Sequence, residues 1–290
     1  MSGTRPHGVG RSMRVATVAA LVGACIVLAG CANRDAPSPA AGPTSTAPST
    51  STSASTPDAR RSGYDFMTPE LRAMQDDDGA NPALLWVRDG EAAWNRPAGA
   101  SGASCSRCHG EASTSMRGVA AQYPAFDAVT GRPLDLGARI NACRERHQGE
   151  PAFARESDAL LALEAWVAFQ SRGLPIAPPA DPRLEAWRAR GERLYRTRMG
   201  QLDFACAQCH DAHAGQRLGG STIPQAHPTG YPIYRLEWQG VGSLERRLRG
   251  CLSGVRAEPF APGSEDMVAL ELYLAQRAAG MRVETPAVRP

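Results

Sequence analysis

The chain has 290 residues, enough for two domains, and its 42% hydrophobic content is ordinary for packed cores. Its formal net charge is +3, but residues 1–30 hold three arginines and no acid, so the remainder balances 29 basic against 29 acidic residues. That balance gives no basic face for nucleic acid, and with no lysine in the chain every basic site is an arginine.

Taken in chain order, residues 1–30 read as an export signal: Arg11 and Arg14 precede an apolar run from Val15 to Leu28. That run falls short of the ~20 residues a membrane span requires. It ends in Leu28-Ala29-Gly30-Cys31, which is similar to the lipobox of bacterial lipoproteins, so Cys31 is expected to be the lipidated first residue of a periplasmic, membrane-tethered protein. The alternative is a soluble secreted chain in which Cys31 is incidental. Residues 31–63, rich in Ser, Thr, Pro and Ala, are expected to form a disordered tether.

Beyond the tether the chain repeats itself. Gly90-Glu91-x-x-Trp94 and Gly191-Glu192-x-x-Tyr195 each begin fifteen residues before a Cys-x-x-Cys-His pentapeptide. The first pentapeptide is Cys105, Cys108, His109 and the second is Cys206, Cys209, His210. Tyr123-Pro124 then recurs as Tyr231-Pro232, Cys143 as Cys251, Glu150-Pro151 as Glu258-Pro259, and Leu163-Glu164-Ala165-Trp166 as Leu270-Glu271-Leu272-Tyr273. The copies differ mainly between the motif histidine and the Tyr-Pro pair, which enclose 13 residues in the first and 20 in the second. Residues 157–171 and 264–279 show apolar residues at helical spacing, with Gly173 and Gly280 as stop signals. The expected fold is mostly α, two tandem cytochrome c-like domains related by internal duplication, over 64–178 and 183–290.

Cys-x-x-Cys-His is the attachment signature of c-type haem: two sulfurs add to the vinyl groups and the histidine ligates iron from one face. Zinc is the competing reading of Cys-x-x-Cys, but an exported chain with histidine directly after the second cysteine favours haem. Two covalently bound haem c groups are therefore expected. The usual ligands on the opposite face are Met or His. Met116, Met199, Met267, Met281, His147, His213 and His227 have no matched partner in the other repeat, whereas Cys143 and Cys251 match. The expected iron ligands are thus His109 with Cys143 and His210 with Cys251. A thiolate is an anionic donor that lowers the haem potential. The alternative is a Cys143–Cys251 disulfide, since leftover cysteines in an oxidising compartment normally pair.

At this point the chain resembles the A-subunit family of SoxAX sulfur-oxidation cytochromes, in its dihaem form, over about residues 64–288. The most specific segment is Arg247-Leu248-Arg249-Gly250-Cys251, continuing through Val255-Arg256-Ala257-Glu258-Pro259-Phe260; Ile140-Asn141-Ala142-Cys143-Arg144 is also typical. The resemblance implies an enzyme of the L-cysteine S-thiosulfotransferase type, acting as a heterodimer with a SoxX-like cytochrome c. Such an enzyme joins thiosulfate oxidatively to a cysteine thiol of the SoxYZ carrier and passes two electrons to an acceptor cytochrome c. It also implies that Cys251 is the catalytic sulfur, found as a persulfide, and that Arg247 contacts substrate.

Residue by residue, Arg247 has a counterpart in Arg139, so both could instead hold a haem propionate or cap a helix. Arg249 and Arg256 stand where the first repeat has Asn141 and Gln148, which makes them secondary candidates for attracting an oxyanion. The first haem is expected to be structural, His213 to lie on a surface loop, and Trp94 and Trp166 to pack in the core. Two other functions compete: a thiosulfate dehydrogenase forming tetrathionate, and a non-enzymatic dihaem electron carrier.

Overall fold

The capping serines that open the last helix of each repeat show how closely local sequence dictates the architecture. In the computed structural model, which describes residues 59–290, Ser157 and Ser264 accept hydrogen bonds from the backbone N–H groups of Leu160 and Met267. An N-cap of this kind satisfies one of the donors that a helix start leaves without a partner. Gly173 and Gly280 follow the helix ends with φ of +80° and +84°, a conformation that favours glycine. The signal-peptide and Cys31 readings, and residues 31–58 of the expected tether, lie outside the described residues.

Among the described residues the α-helices are α1 (Pro69–Asp76), α2 (Leu84–Asn95), α3 (Cys105–His109), α4 (Ala112–Ser115), α5 (Leu136–Cys143), α6 (Asp158–Phe169), α7 (Glu185–Arg196), α8 (Leu244–Gly254) and α9 (Glu265–Arg277). The strands are short: β1 (Ala125–Asp127), β2 (Arg132–Leu134), β3 (Arg217–Leu218), β4 (Ser221–Thr222), β5 (Ile233–Arg235), β6 (Gly240–Gly242) and β7 (Ala287–Arg289). No helix among them is long and apolar enough to cross a membrane.

Each repeat forms one lobe built on a helix crossing, α2 on α6 in the first and α7 on α9 in the second. A glycine makes each crossing possible. A Cβ on Gly90 would stand 2.0 Å from the carbonyl oxygen of Ala162, and one on Gly191 would stand 2.0 Å from that of Ala269. The helix backbones therefore touch, and the aromatic side chains beside the crossing fill the space around it. In the first lobe Trp94, Leu163 and Val167 pack with Cys105 and Ile140. In the second, Tyr195, Leu270 and Leu274 pack with Cys206, Leu248 and Phe260. The first cysteine of each pentapeptide is thus set into the core of its lobe.

A hairpin follows each motif, β1–β2 in the first lobe and β5–β6 in the second, with matched register: Asp127 faces Arg132 and Arg235 faces Gly240. In the second lobe the C-terminal strand β7 adds in parallel to β5, giving the order β6-β5-β7. Helix α1 packs against β7, so the first lobe's own helices begin at α2. Residues 59–63 are held against the second lobe, where Arg60 donates to the carbonyls of Arg277 and Ala279.

The lobes meet over a cavity of about 140 Å³ whose walls hold Glu164 and its repeat partner Glu271. Arg155 bridges the lobes there, 2.7 Å from Asp135 at the start of α5 and 2.9 Å from Glu245 at the start of α8. Burial pushes the Glu164 and Glu271 carboxyls well above the ordinary range, and the neighbouring carboxylates push the same way.

Candidate haem and sulfur site

The two pentapeptides are held in the same manner. Trp94 Nε1 donates to the carbonyl of Gly110, 3.2 Å away, and the Tyr195 hydroxyl donates to Asp211 at 2.8 Å. Both acceptors directly follow the motif histidine, so the aromatic near the end of each first helix fixes the turn that carries the ligand. His109 lies against Trp94 with ring centroids 5.7 Å apart. His210 sits on a π-helical turn, Gln208–Ala212, and its Nδ1–H donates to the Pro224 carbonyl at 2.7 Å. That bond orients the ring and leaves Nε2 for a metal, the arrangement by which proteins set the tautomer of a ligating histidine.

Nε2 faces Cys251. The two side chains are hydrogen-bonded, so the residues expected to take opposite faces of one iron lie across the same space. That space is a cavity of about 280 Å³ lined in part by His210, Cys251, Arg247, Arg235 and Tyr231. The seven additional residues of the second repeat find their use here, because the β3–β4 hairpin lines the cavity through Arg217, Ser221 and Thr222. Residues 63–71 and the chain end from Arg289 line it as well, and neither segment has a counterpart in the first lobe.

In the first lobe Cys143 lies near Cys105. All six described cysteines are free, and Cys143 and Cys251 stand in separate lobes, each beside its own motif. Of the seven methionines and histidines weighed as alternative ligands, His227 lines the second cavity, with its Nδ1 on the Arg61 carbonyl at 2.9 Å. Met267 is fully buried in α9, Met116 and Met281 pack in apolar clusters, and His147 and His213 are exposed. Trp94 is buried, and Trp166 is partly buried beside Phe169.

The thiols differ in their electrostatics. Burial pushes Cys206 up to about 11, and the nearby Cys251 adds to the effect. Burial also opposes ionisation of Cys251, but there the His210 hydrogen bond and the positive charges of Arg247 and Arg235 win, holding the thiol below its ordinary value. The His210 bond and the two guanidinium charges thus favour the ionised form of Cys251.

The arginines separate into groups. Arg247 lines the cavity beside Cys251; its backbone N–H donates to the Ser243 carbonyl at 3.3 Å, and its guanidinium makes no hydrogen bond or ion pair among the described residues. Arg249 points elsewhere and donates to the Phe260 carbonyl at 2.5 Å, bracing the segment after α8. Arg256 is exposed, with a φ of +58°, and does not line the cavity. Arg139, the counterpart of Arg247, is ion-paired with Asp127 at 3.0 Å. The residue that the sequence reading passed over is Arg235. Its signal lay in the alignment of the repeats, where it stands at the position of Asp127.

These residues fit covalent haem: paired sulfurs on one turn, a histidine oriented through Nδ1, and across from its other nitrogen a cysteine whose neighbours favour ionisation. Known proteins point the same way. The family described as SoxA/TsdA, cytochrome c domain, matches residues 89–176 and 190–283, one segment in each lobe. The L-cysteine S-thiosulfotransferase subunit SoxA of Pseudaminobacter salicylatoxidans is 39% identical over 229 residues, 79% of this chain and 80% of that protein. Its counterpart in Rhodovulum sulfidophilum is 36% identical over 232 residues, 80% and 81% of the two chains. The crystal structure of SoxXA from P. pantotrophus matches with a TM-score of 0.77 at 35% identity, covering 80% of this chain and 87% of that one. A cytochrome c domain in each lobe and the likeness to SoxXA support haem c as the group this chain carries, and with relatives of this identity and coverage the chain belongs to the SoxA family.

Proposed function

We propose that this chain is the haem-bearing subunit of an L-cysteine S-thiosulfotransferase, joining thiosulfate to a cysteine thiol of a SoxYZ-type carrier. The observation that carries this reading is Cys251: a sulfur held toward its thiolate form by His210, Arg247 and Arg235 inside a cavity that a small anion can enter. The names borne by its SoxA relatives support the same activity.

Two haem c groups are proposed, one on Cys105 and Cys108 with His109 and Cys143 as ligands, the other on Cys206 and Cys209 with His210 and Cys251. Haem c, when bound, supplies a one-electron sink beside the reacting sulfur. The chain's own residues supply the rest. Arg247 holds the oxyanion end of thiosulfate. The Cys251 thiolate and the terminal sulfur of thiosulfate form an S–S bond, releasing two electrons to an acceptor cytochrome c and leaving Cys251 as an S-thiosulfonate. The carrier thiolate then attacks the sulfur bonded to the sulfonate group and displaces the Cys251 thiolate. This covalent route splits one difficult step into two. A SoxX-like cytochrome c is the proposed partner, in keeping with the SoxXA complex that the fold matches. The proposed location is the periplasm, with tethering through a lipidated Cys31.

Product analysis with and without the carrier tests the reading. A carrier adduct that gains the mass of thiosulfate only in the presence of this chain is the expected result. Tetrathionate formed by the chain without carrier would replace the reading with that of a thiosulfate dehydrogenase. Intact mass of the mature protein measures haem number and lipid on Cys31 in the same experiment.

A further inference from the structure

Around the trailing cysteine the two lobes align at constant spacing, and one of the aligned positions carries a reversed charge. Tyr123, Asp127, Arg139 and Cys143 correspond to Tyr231, Arg235, Arg247 and Cys251 at constant spacing. Strand register confirms the match, since Asp127 and Arg235 occupy the same place in β1–β2 and β5–β6. In the first lobe Asp127 is 4% exposed and takes Arg139 at 3.0 Å and Arg146 at 3.2 Å. The arginine before Cys143 is thereby neutralised by a buried carboxylate. In the second lobe that carboxylate is replaced by a guanidinium, and Gly254 stands where Arg146 would be.

Arg235 and Arg247 consequently stand near one another beside Cys251, both on the cavity wall. Arg235 is only 12% exposed, and its carboxylate partner Glu237, at 2.8 Å, is 64% exposed, where water and salt weaken its charge. The Arg235 Nε–H is buried without an acceptor. Burial and the neighbouring Arg247 both push Arg235 below its ordinary value. Two cations held together largely out of water, with only the single negative charge of an ionised Cys251 beside them, leave a net positive charge there. A tetrahedral dianion relieves that repulsion and fills the vacant donor, because guanidinium forks match such oxyanions.

We propose that Arg235 is the second anchor, with Arg247, for the sulfonate end of thiosulfate, and that Asp127 bars the first lobe from taking the same anion. The proposal rests on the Cys251 reading given above for its choice of ligand. It makes the single exchange of Asp for Arg the step that separates a reactive lobe from its duplicate.

The test uses the complete haem-loaded chain with its partner cytochrome, the carrier, and sulfate as a non-reacting dianion. Arg235→Gln is expected to raise the thiosulfate KM and the sulfate inhibition constant together by about tenfold, as for loss of a charge-assisted hydrogen bond. The carrier KM should stay within twofold of wild type, and Arg235→Lys, which keeps the charge beside Cys251, should recover most of the loss with kcat and the haem spectrum as in wild type. Glu237→Gln keeps Arg235 in place on an exposed side chain, and should lower the thiosulfate KM about twofold at low ionic strength. Arg235→Gln with an unchanged thiosulfate KM and a shifted haem potential assigns the residue to a propionate and overturns the proposal. A thiosulfate KM that does not fall in Glu237→Gln overturns it too. If the wild type conjugates no thiosulfate, the transferase reading falls, and direct sulfate titration then decides: equal dissociation constants for wild type and Arg235→Gln overturn the role of Arg235.

Discussion

Gly191→Ala is the sharpest test of how the site is positioned. The added methyl would lie 2.0 Å from the Ala269 carbonyl oxygen and 2.7 Å from both the carbonyl carbon and the Tyr273 Cβ. An ordinary contact needs more than 3 Å, so α7 and α9 must separate by about 1 Å, since backbone cannot rotate away. A gap of that size forfeits a quarter to a half of the dispersion energy of each contact across the crossing. Tyr195, Leu270 and Leu274 pack there, and a fully buried side chain of this size contributes about 2 kcal/mol. Losing roughly half of that at each residue costs about 3–4 kcal/mol. Alanine recovers about 1 kcal/mol through its higher helix propensity. The net destabilisation is about 2–3 kcal/mol, or a Tm fall of about 5–10 °C for a body of this size. Gly90→Ala should behave alike, since its methyl meets Ala162 and Trp166 at the same distances. Denaturant unfolding of the haem-loaded protein is the assay. A variant as stable as wild type, or stabilised by the propensity gain, would refute the claim that backbone contact sets these crossings.

Three further outcomes are expected. Arg247→Gln should cut kcat/KM for thiosulfate about 10–100-fold with the carrier KM unchanged, measured in steady state, because it removes one charged donor to the oxyanion. Asp127→Asn should destabilise the protein by about 2 kcal/mol, since two arginines and Thr130 bond that carboxylate. Those arginine bonds hold Asp127 far below its ordinary value. Its contribution is therefore present above about pH 4 and is lost as pH falls, so the stability curves of the two proteins should converge in acid. Glu271→Gln should do the reverse. Burial raises the Glu271 pKa, so the folded state binds the extra proton and loses stability as pH rises above the ordinary glutamate value. The glutamine variant should accordingly gain stability at pH 8 relative to pH 5, read by Tm against pH; a gain at pH 5 alone would contradict the assignment.

Much of this was legible in the chain. The serine caps at 157 and 264 directly precede the last helix of each lobe, and the stop glycines at 173 and 280 follow its end within four residues, because capping is local chemistry. The two pentapeptides and their trailing cysteines could be paired by counting residues, since duplication preserves spacing. The role of the cationic residues was not legible in the same way. Arg247 and Arg139 read alike in the sequence, and Arg249 and Arg256 looked equally available. A side chain's charge partner comes from another element, and nothing in local spacing reports it.

By itself the sequence determined the duplication, the helical lobes, the attachment motifs and the cysteine that trails each of them, because those depend on residue type and separation along one chain. Only the tertiary structure decided which charges meet. It brought Asp127 onto Arg139, aimed Arg249 at the Phe260 carbonyl, left Arg256 exposed, and set Arg235 with Arg247 beside Cys251. Electrostatic energy depends on distance and burial, and both are fixed by how strands and helices from distant parts of the chain pack together.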